Sequence, residues 1–291
     1  MKHVFDFSVP LENSAVAFGR FDGMHIGHRE VIRKLVSCAN PVLISFADDR
    51  EKVLYTETEK EYVLKKLGVR NMITVSAATY EKMELSRFIR DYLVARTGVK
   101  TIVTGENDDR LDELKRVCER YGIELIVVPT VRDRGTEVTT ALIRSYFPNG
   151  NMNDCLRLLG GGYVMIGTVV HGKGAGRKHA MPTANLSFAE NKLWPVYGVY
   201  GTEVRVDEGV WDGATNIGLR PSADCIPIPT CETYILGFQN DIYGKTLTLE
   251  AFLYVRPVMQ FRNLDEVREQ IGRDIRQIEE SREIHKESLS G

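Results

Sequence analysis

The sequence predicts an α/β chain in two parts: an open parallel sheet with helices on its faces, then a small antiparallel β-barrel closed by a C-terminal helix. Three observations carry this. Up to about Phe147, short apolar strands alternate with longer helical patterns. After "FPNGNMNDCLRLLGGGY" the chain changes to β-branched and aromatic runs bounded by Gly, Asp and Pro. The last stretch, roughly Leu264 to Ile284, sets Val267, Ile271, Ile275 and Ile278 on one helical face. A length of 291 residues fits two domains of ordinary size, expected at 1–158 and 159–291.

In chain order, the first strand is Ala15-Val16-Ala17-Phe18, followed by "VLISFA" (42–47), "NMITVSA" (71–77), "TIVTG" (101–105) and "IELIVVPT" (123–130). Between them lie the helical patterns "EKEYVLKKLG", "EKMELSRFIRDYLVAR" and "DELKRVCERYG", the last ending at Gly122 as helix C-termini often do. Alternation of this kind implies parallel strands joined by right-handed crossovers. The second part reads "YVMIGTVV", "YGVYGTEVRV", "WDGATNIG", "ETYILGF" and "LTLEAFLYV", a run of strands and turns that favours the barrel.

Whole-chain composition narrows the class. The hydrophobic fraction of 43% and the charged fraction of 27% are those of a globular enzyme. A formal net charge of −2 gives no electrostatic reason for a nucleic-acid partner. No apolar run is long enough for a bilayer, and "MKHVFDFSVPLENS" has no signal-peptide core, so a cytoplasmic protein without a membrane partner is expected. Cys38, Cys118, Cys155, Cys225 and Cys231 include no C-x-x-C pair and read as reduced thiols. Oligomeric state is not set by the sequence.

The stretch "AVAFGRFDGMHIGHREVI" concentrates the chemistry of the first part. Gly19, Gly23 and Gly27 stand between the first strand and a helix beginning near Ile26, where the backbone must turn sharply or approach a ligand closely. Such a turn aims free N–H groups and the positive end of a helix dipole at one point, which suits phosphate. His25 and His28, in the pattern H-x-G-H, add imidazole donors for charge growing on phosphorus in flight. In the second part, Gly172, Gly174 and Gly176 with Arg177 form a loop that can fold over polyphosphate. "PTAN" places Thr183 and Asn185 two apart, on one face if extended, as hard oxygen ligands for Mg²⁺ or its water. Phosphoryl transfer to an alcohol also benefits from a carboxylate base.

These segments resemble a known family. "GRFDGMHIGH" is similar to the G-x-FDG-x-H-x-GH form of the nucleotidyltransferase domain in bacterial bifunctional riboflavin kinase/FMN adenylyltransferases. "GTVVHGKGAGRKHAMPTANL", "YGVYG", "NIGLRP" and "DIYGKTL" follow in the order of that family's riboflavin kinase domain. The resemblance covers nearly the whole chain. It implies a Rossmann-like H-x-G-H domain and a riboflavin kinase barrel that together turn riboflavin into FMN and FMN into FAD, with ATP and Mg²⁺. It implies Glu232 as the kinase base, and His25 and His28 as transition-state stabilisers. It implies ATP binding by Gly19, Phe21, Asp22, Gly23, Gly27 and Arg144, and in the barrel by Gly172, Gly174, Gly176, Arg177 and Pro182. Gly105, Glu106 and Asn216 would contact flavin, and Thr183 and Asn185 would hold the metal.

The chain also departs from the family pattern. "SFADDREKV" stands in place of a Pro-His-Pro type turn, "TTALIR" keeps the hydroxyls of Thr139 and Thr140 but loses one at Ala141, and Ala180-Met181 replaces a Gly-aromatic pair. "GENDDRLDE" keeps Gly105 and Glu106 while losing two aromatic positions of a flavin-binding segment. Weak FMN binding, with FMN formation outrunning FAD formation, is the expected result unless Tyr55, Tyr62 or Phe88 takes over the vacated role. Two further readings therefore stand beside the bifunctional one: a kinase with a weakened or re-purposed adenylyltransferase half, and a non-catalytic flavin-binding regulator.

Overall fold

The computed structural model describes residues 1–8, 10–48, 50–149, 151–171, 182–220 and 228–290. Gly172, Gly174, Gly176, Arg177, Ala180, Met181 and Cys225 lie outside the described residues. The chain divides into two compact units, Met1–Ile143 and Arg144–Gly291.

In the first unit, β1 (Lys2–Val4), β2 (Ser14–Gly19), β3 (Pro41–Ala47), β4 (Asn71–Ser76), β5 (Val99–Gly105) and β6 (Glu124–Val128) pair in the order β1-β4-β3-β2-β5-β6. Every pair is parallel. The apolar runs found in the sequence are these strands, and Val16, Ile44, Ile73 and Ile102 lie in the core that they share. Helix α1 (Ile26–Val36) follows β2 and buries Val31, Ile32 and Leu35. Helix α2 (Glu57–Lys66) begins with a capping box: Thr56 Oγ1 accepts from the Glu59 N–H, and the Glu59 carboxylate accepts from the Thr56 N–H at 2.8 Å. A short helix α3 (Ala77–Tyr80) precedes "EKMELSRFIRDYLVAR", and the single helix expected over that stretch begins only at Leu85. It runs on as α4 (Leu85–Phe88), a π-helical stretch Ile89–Val94 and α5 (Ala95–Thr97), which together bury Leu85, Phe88, Ile89 and Leu93. Helix α6 (Leu111–Tyr121) ends at Gly122, whose φ of +62° lies in the left-handed region that glycine enters without strain. A short hairpin, β7 (Arg132–Asp133) with β8 (Thr136–Glu137), follows β6.

Helix α7 (Thr140–Asn149) spans the division, and α8 (Met152–Leu158) belongs to the second unit. Helix α8 buries Met152, Cys155, Leu156 and Leu158 and is tied to the barrel by Asn153. That side chain accepts from the Tyr254 N–H at 2.7 Å and donates to the Tyr254 carbonyl at 3.1 Å.

Six antiparallel strands form a closed barrel: β9 (Tyr163–Val170), β10 (Ala184–Ser187), β11 (Gly198–Val206), β12 (Gly209–Arg220), β13 (Ile228–Ile235) and β14 (Thr246–Pro257), in the order β10-β13-β12-β11-β14-β9. Strand alternation sends Val169, Leu186, Ile217, Cys231 and Leu249 inward. The interior also holds three fully buried threonines, whose hydroxyls satisfy one another: Thr202 to Thr215 at 2.8 Å and Thr215 to Thr233 at 3.0 Å. Gly213 makes room for them, since a Cβ there would stand 2.6 Å from Val204 Cγ2. The C-terminal helix α9 (Leu264–Ser290) lies on the barrel with Ile278 over Gly201. The Arg256–Asp274 pair (2.8 Å), with Asp274 only 3% exposed, and the pairing of Arg282 with Glu203 and Asp212 fix it in place. Cys38, Cys118, Cys155 and Cys231 are free thiols. Among the described residues, no helix is long and apolar enough to cross a membrane.

Asp274 accepts from two of the Arg256 nitrogens and from the Gln270 amide in a nearly dry place. Removing one member of such a pair strands the other charge, so Asp274→Ala is expected to destabilise the barrel by about 3 kcal/mol. Replacing both members by apolar residues should recover most of that loss. Urea unfolding of the single and double variants measures the difference.

Candidate active site

In the first unit, the chain leaves β2 for β3 on one side of the sheet and later returns to place β5 on the other. The carboxyl ends of β2 and β5 are therefore the switch point at which open α/β sheets bind ligands. A cleft of about 720 Å³ opens there, and Gly19, Phe21, His25, Gly27, His28 and Gly105 line it. The backbone between β2 and α1 is strained: Phe21 and Met24 both have φ of +46°, and Gly23 has φ of +85°. Gly27 allows a close approach, because a Cβ there would stand 3.1 Å from the His25 ring.

His25 is the N-cap of α1 and its Nδ1 accepts the His28 N–H at 3.3 Å. A neutral His25 therefore carries its proton on Nε2, where it is free to donate to a ligand. The His28 ring stacks on it with centroids 3.7 Å apart, and His28 Nδ1 is buried without a partner among the described residues. Burial pushes the His25 pKa down from 6.5 to about 4, against the opposing pull of Asp22. Burial, then the neighbouring His25, then Lys60 hold His28 well below the usual histidine range. Both imidazoles are neutral donors at neutral pH.

The carboxylate of Asp22 is committed to structure: it accepts the N–H groups of Leu54 (2.8 Å) and Tyr55 (3.1 Å), and neither Asp22 nor Gly23 lines the cleft. Glu106 also lies outside the lining, its carboxylate accepting the Thr130 N–H at 3.1 Å. Tyr55 and Phe88 are buried and neither lines the cleft, and Tyr62 lies under the Lys66 ammonium. Instead Phe18, Phe21 and Phe46 supply the aromatic part of the lining, and Asn107, Asp108, Asp109 and Arg110 supply a polar part. Lys60, which "EKEYVLKK" presents as one solvated charge among several, is 2% exposed. Its ammonium donates to the Arg20 carbonyl (2.7 Å), Ser45 Oγ (3.0 Å) and Glu57 (2.7 Å), holding the strained turn from below. The Glu57–Lys60 spacing at i, i+3 is the one sequence signal of that arrangement. Arg144 lies in α7.

In the barrel, strand register brings three expected residues into one row. Asn185 of β10 is the cross-strand neighbour of Glu232 of β13, and Asn216 of β12 is its neighbour on the other side. Their side chains alternate with the buried Ala184, Leu186, Cys231, Thr233, Thr215 and Ile217, so all three face outward. Directly paired residues have Cβ atoms about 5 Å apart, within reach of one ligand. Pro182 and Thr183 stand immediately before β10. The Thr183 hydroxyl and the Asn185 amide oxygen are hard donors that fit Mg²⁺. Among the described residues no cluster of three His, Cys, Asp or Glu forms a metal site of another kind.

Comparison with known proteins accounts for both units. Residues 8–142 match the family model for FAD synthetase, and residues 159–282 match the model for riboflavin kinase. A bifunctional riboflavin kinase/FMN adenylyltransferase of Listeria monocytogenes is 27% identical over 90% of this chain and 90% of its own length. The Escherichia coli K12 protein of the same name is 29% identical over 91% of each. A crystal structure titled as a macrolide-efflux protein from Streptococcus pneumoniae has a TM-score of 0.77 at 26% identity, over 91% of this chain and 93% of that one.

A depressed histidine pKa has a defined signature. The unfolded chain takes up the proton first as pH falls, so stability from His25 is complete above pH 6.5 and drains away towards pH 4. At pH 5 the first unit is expected to have lost about 2 kcal/mol from this group. His25→Asn, which keeps an N-cap acceptor, should flatten the difference between urea midpoints at pH 7 and pH 5.

Proposed function

The chain belongs to the family that joins an FAD synthetase unit to a riboflavin kinase unit, and from that premise we propose that it phosphorylates riboflavin to FMN and adenylylates FMN to FAD. The observation that carries the reading is the pairing of two separate phosphate-transfer sites in one chain: the imidazole pair at the cleft of the first unit, and the Asn185–Glu232–Asn216 row of the second.

In the barrel, Glu232 takes the proton of the ribityl 5′-hydroxyl as that oxygen attacks the γ-phosphorus of ATP and ADP leaves. Asn216 orients the flavin. Thr183 and Asn185 would hold Mg²⁺, which when bound neutralises phosphate charge. Pro182 and the segment with Gly172, Gly174, Gly176 and Arg177 take the nucleotide. In the first unit the FMN phosphate attacks the α-phosphorus of a second ATP and expels pyrophosphate. His25 donates from Nε2 and His28 beside it, both stabilising the charge that develops. Free N–H groups at the start of α1 face the same phosphate, and Gly27 keeps that approach open. Arg144, the further phosphate ligand that the family resemblance implies, is not among the residues that line the cleft. Neutral donors suit this task, since they release product pyrophosphate more readily than fixed cations would.

A kinase with an altered acceptor site in its first unit is the second reading, favoured by the charged rim of Asp108, Asp109 and Arg110. Incubation with riboflavin, ATP and Mg²⁺, followed by chromatography of the flavins, separates the cases. FAD supports the bifunctional reading, FMN alone supports the second, and unchanged riboflavin overturns both.

Glu232→Gln is expected to lower riboflavin phosphorylation by about 10²-fold or more while leaving adenylylation of supplied FMN intact. A kinase rate near the parent's would remove Glu232 from the role of base.

His28→Ala should reduce adenylyl transfer by about 10²-fold or more, by analogy with loss of one preorganised donor. Riboflavin phosphorylation in the same sample, measured alongside, should stay at the parent level because the barrel binds its own ATP.

A further inference from the structure

We propose that Arg110 holds the flat ring of the acceptor flavin in the cleft of the first unit, as a planar stacking partner rather than as a reader of negative charge. The proposal rests on the reading that this unit adenylylates FMN.

Arg110 lines the cleft at the entry to α6 and is half-buried. Its backbone is fixed, since its N–H donates to Asp108 Oδ1 at 2.9 Å. Asp108 is itself locked by Thr104 Oγ1, which donates to Oδ2 at 2.9 Å. The guanidinium, by contrast, makes no ion pair or hydrogen bond among the described residues. The other arginine of the cleft, Arg20, is held by Glu81 and Glu51. A rigidly mounted, unpaired guanidinium in a binding cleft is built to meet a ligand.

Two ligand features suit a guanidinium: an anion, or the face of a planar ring. The surroundings choose between them. Asp108 and Asp109 precede Arg110, and Asp112, paired with Lys115 at 3.1 Å, and Glu113 follow in the first turn of α6, so two cations stand among four carboxylates. A second anion docked there would meet net negative charge. A neutral ring would not. The lining of the same cleft also includes Phe18, Phe21, Phe46, Val103, Val128 and Val138, apolar groups suited to a large planar ring. The phosphate end of the same acceptor has its own place at the His25 and His28 turn. Arg110 therefore fills, by a different chemistry, the role left by the aromatic positions missing from "GENDDRLDE".

The test uses the full chain with FMN and ATP as varied substrates and riboflavin phosphorylation as the control for folding. Arg110→Ala is expected to raise KM for FMN about tenfold, with kcat and KM for ATP within about twofold. Arg110→Phe, which keeps a plane and loses the charge, should restore KM for FMN to near the parent value. Arg110→Lys, which keeps the charge and loses the plane, should behave like Arg110→Ala. If Lys restores and Phe does not, the residue reads charge and the proposal is overturned. An unchanged KM in Arg110→Ala overturns it as well. A parent protein that makes no FAD from FMN overturns the underlying reading and the proposal with it, a result distinct from either outcome among the variants.

Discussion

The turn between β2 and α1 depends on two buried charged side chains that would be costly anywhere else. Phe21 and Met24 sit in left-handed backbone that bulky residues avoid, at about 1–3 kcal/mol each. Strain of that size persists only where the surroundings over-determine the conformation. Asp22 does so from above by accepting two N–H groups of the Leu54–Tyr55 segment, and Lys60 does so from below by donating to the Arg20 carbonyl. Thr140 adds a third tie, its hydroxyl donating to the Asp22 carbonyl at 3.1 Å. Hydrogen bonds to charged groups are worth about 1.5–3 kcal/mol each, enough to offset the strain. The imidazole pair is thus placed chiefly by Asp22 and Lys60, neither of which lines the cleft.

The barrel solves the same problem of placement with register alone. Glu232 needs no strained turn, because a strand in the middle of a ladder fixes its neighbours on both sides. Its alternation with buried Cys231 and Thr233 holds the carboxylate on the outer face, and the threonine ladder inside keeps those strands in step. One unit therefore stores strain at its chemistry, whereas the other builds its chemistry on regular sheet.

Legibility followed the same division. The strands and α6 were visible because apolar periodicity and Gly122 are local signals, and the H-x-G-H turn was visible because glycines and histidines rarely crowd by chance. β1 has three residues and no alternation, so nothing local marks it. The late start of the helix at Leu85 was hidden because "EKMELSRFIRDYLVAR" has helical composition throughout. The commitment of Asp22 and Glu106 to backbone partners was also invisible, since both partners lie far away in sequence. So was the row across β10, β13 and β12, because cross-strand register is a tertiary fact. Burial of Lys60 inverted the usual reading of a lysine in a charged helix.

The closed barrel has a consequence of its own for self-association. With β9 paired to β14 on one side and β10 on the other, the ring has no terminal strand whose N–H and C=O groups await a partner. The sheet of the first unit does have two, β1 and β6. β1 is too short to template much. β6 pairs only with β5 within its sheet, runs five residues as "ELIVV", and leaves Val127 37% exposed. Aggregation of this chain by strand addition would thus begin along β6, and a lysine or proline on that border is where solubility engineering should start.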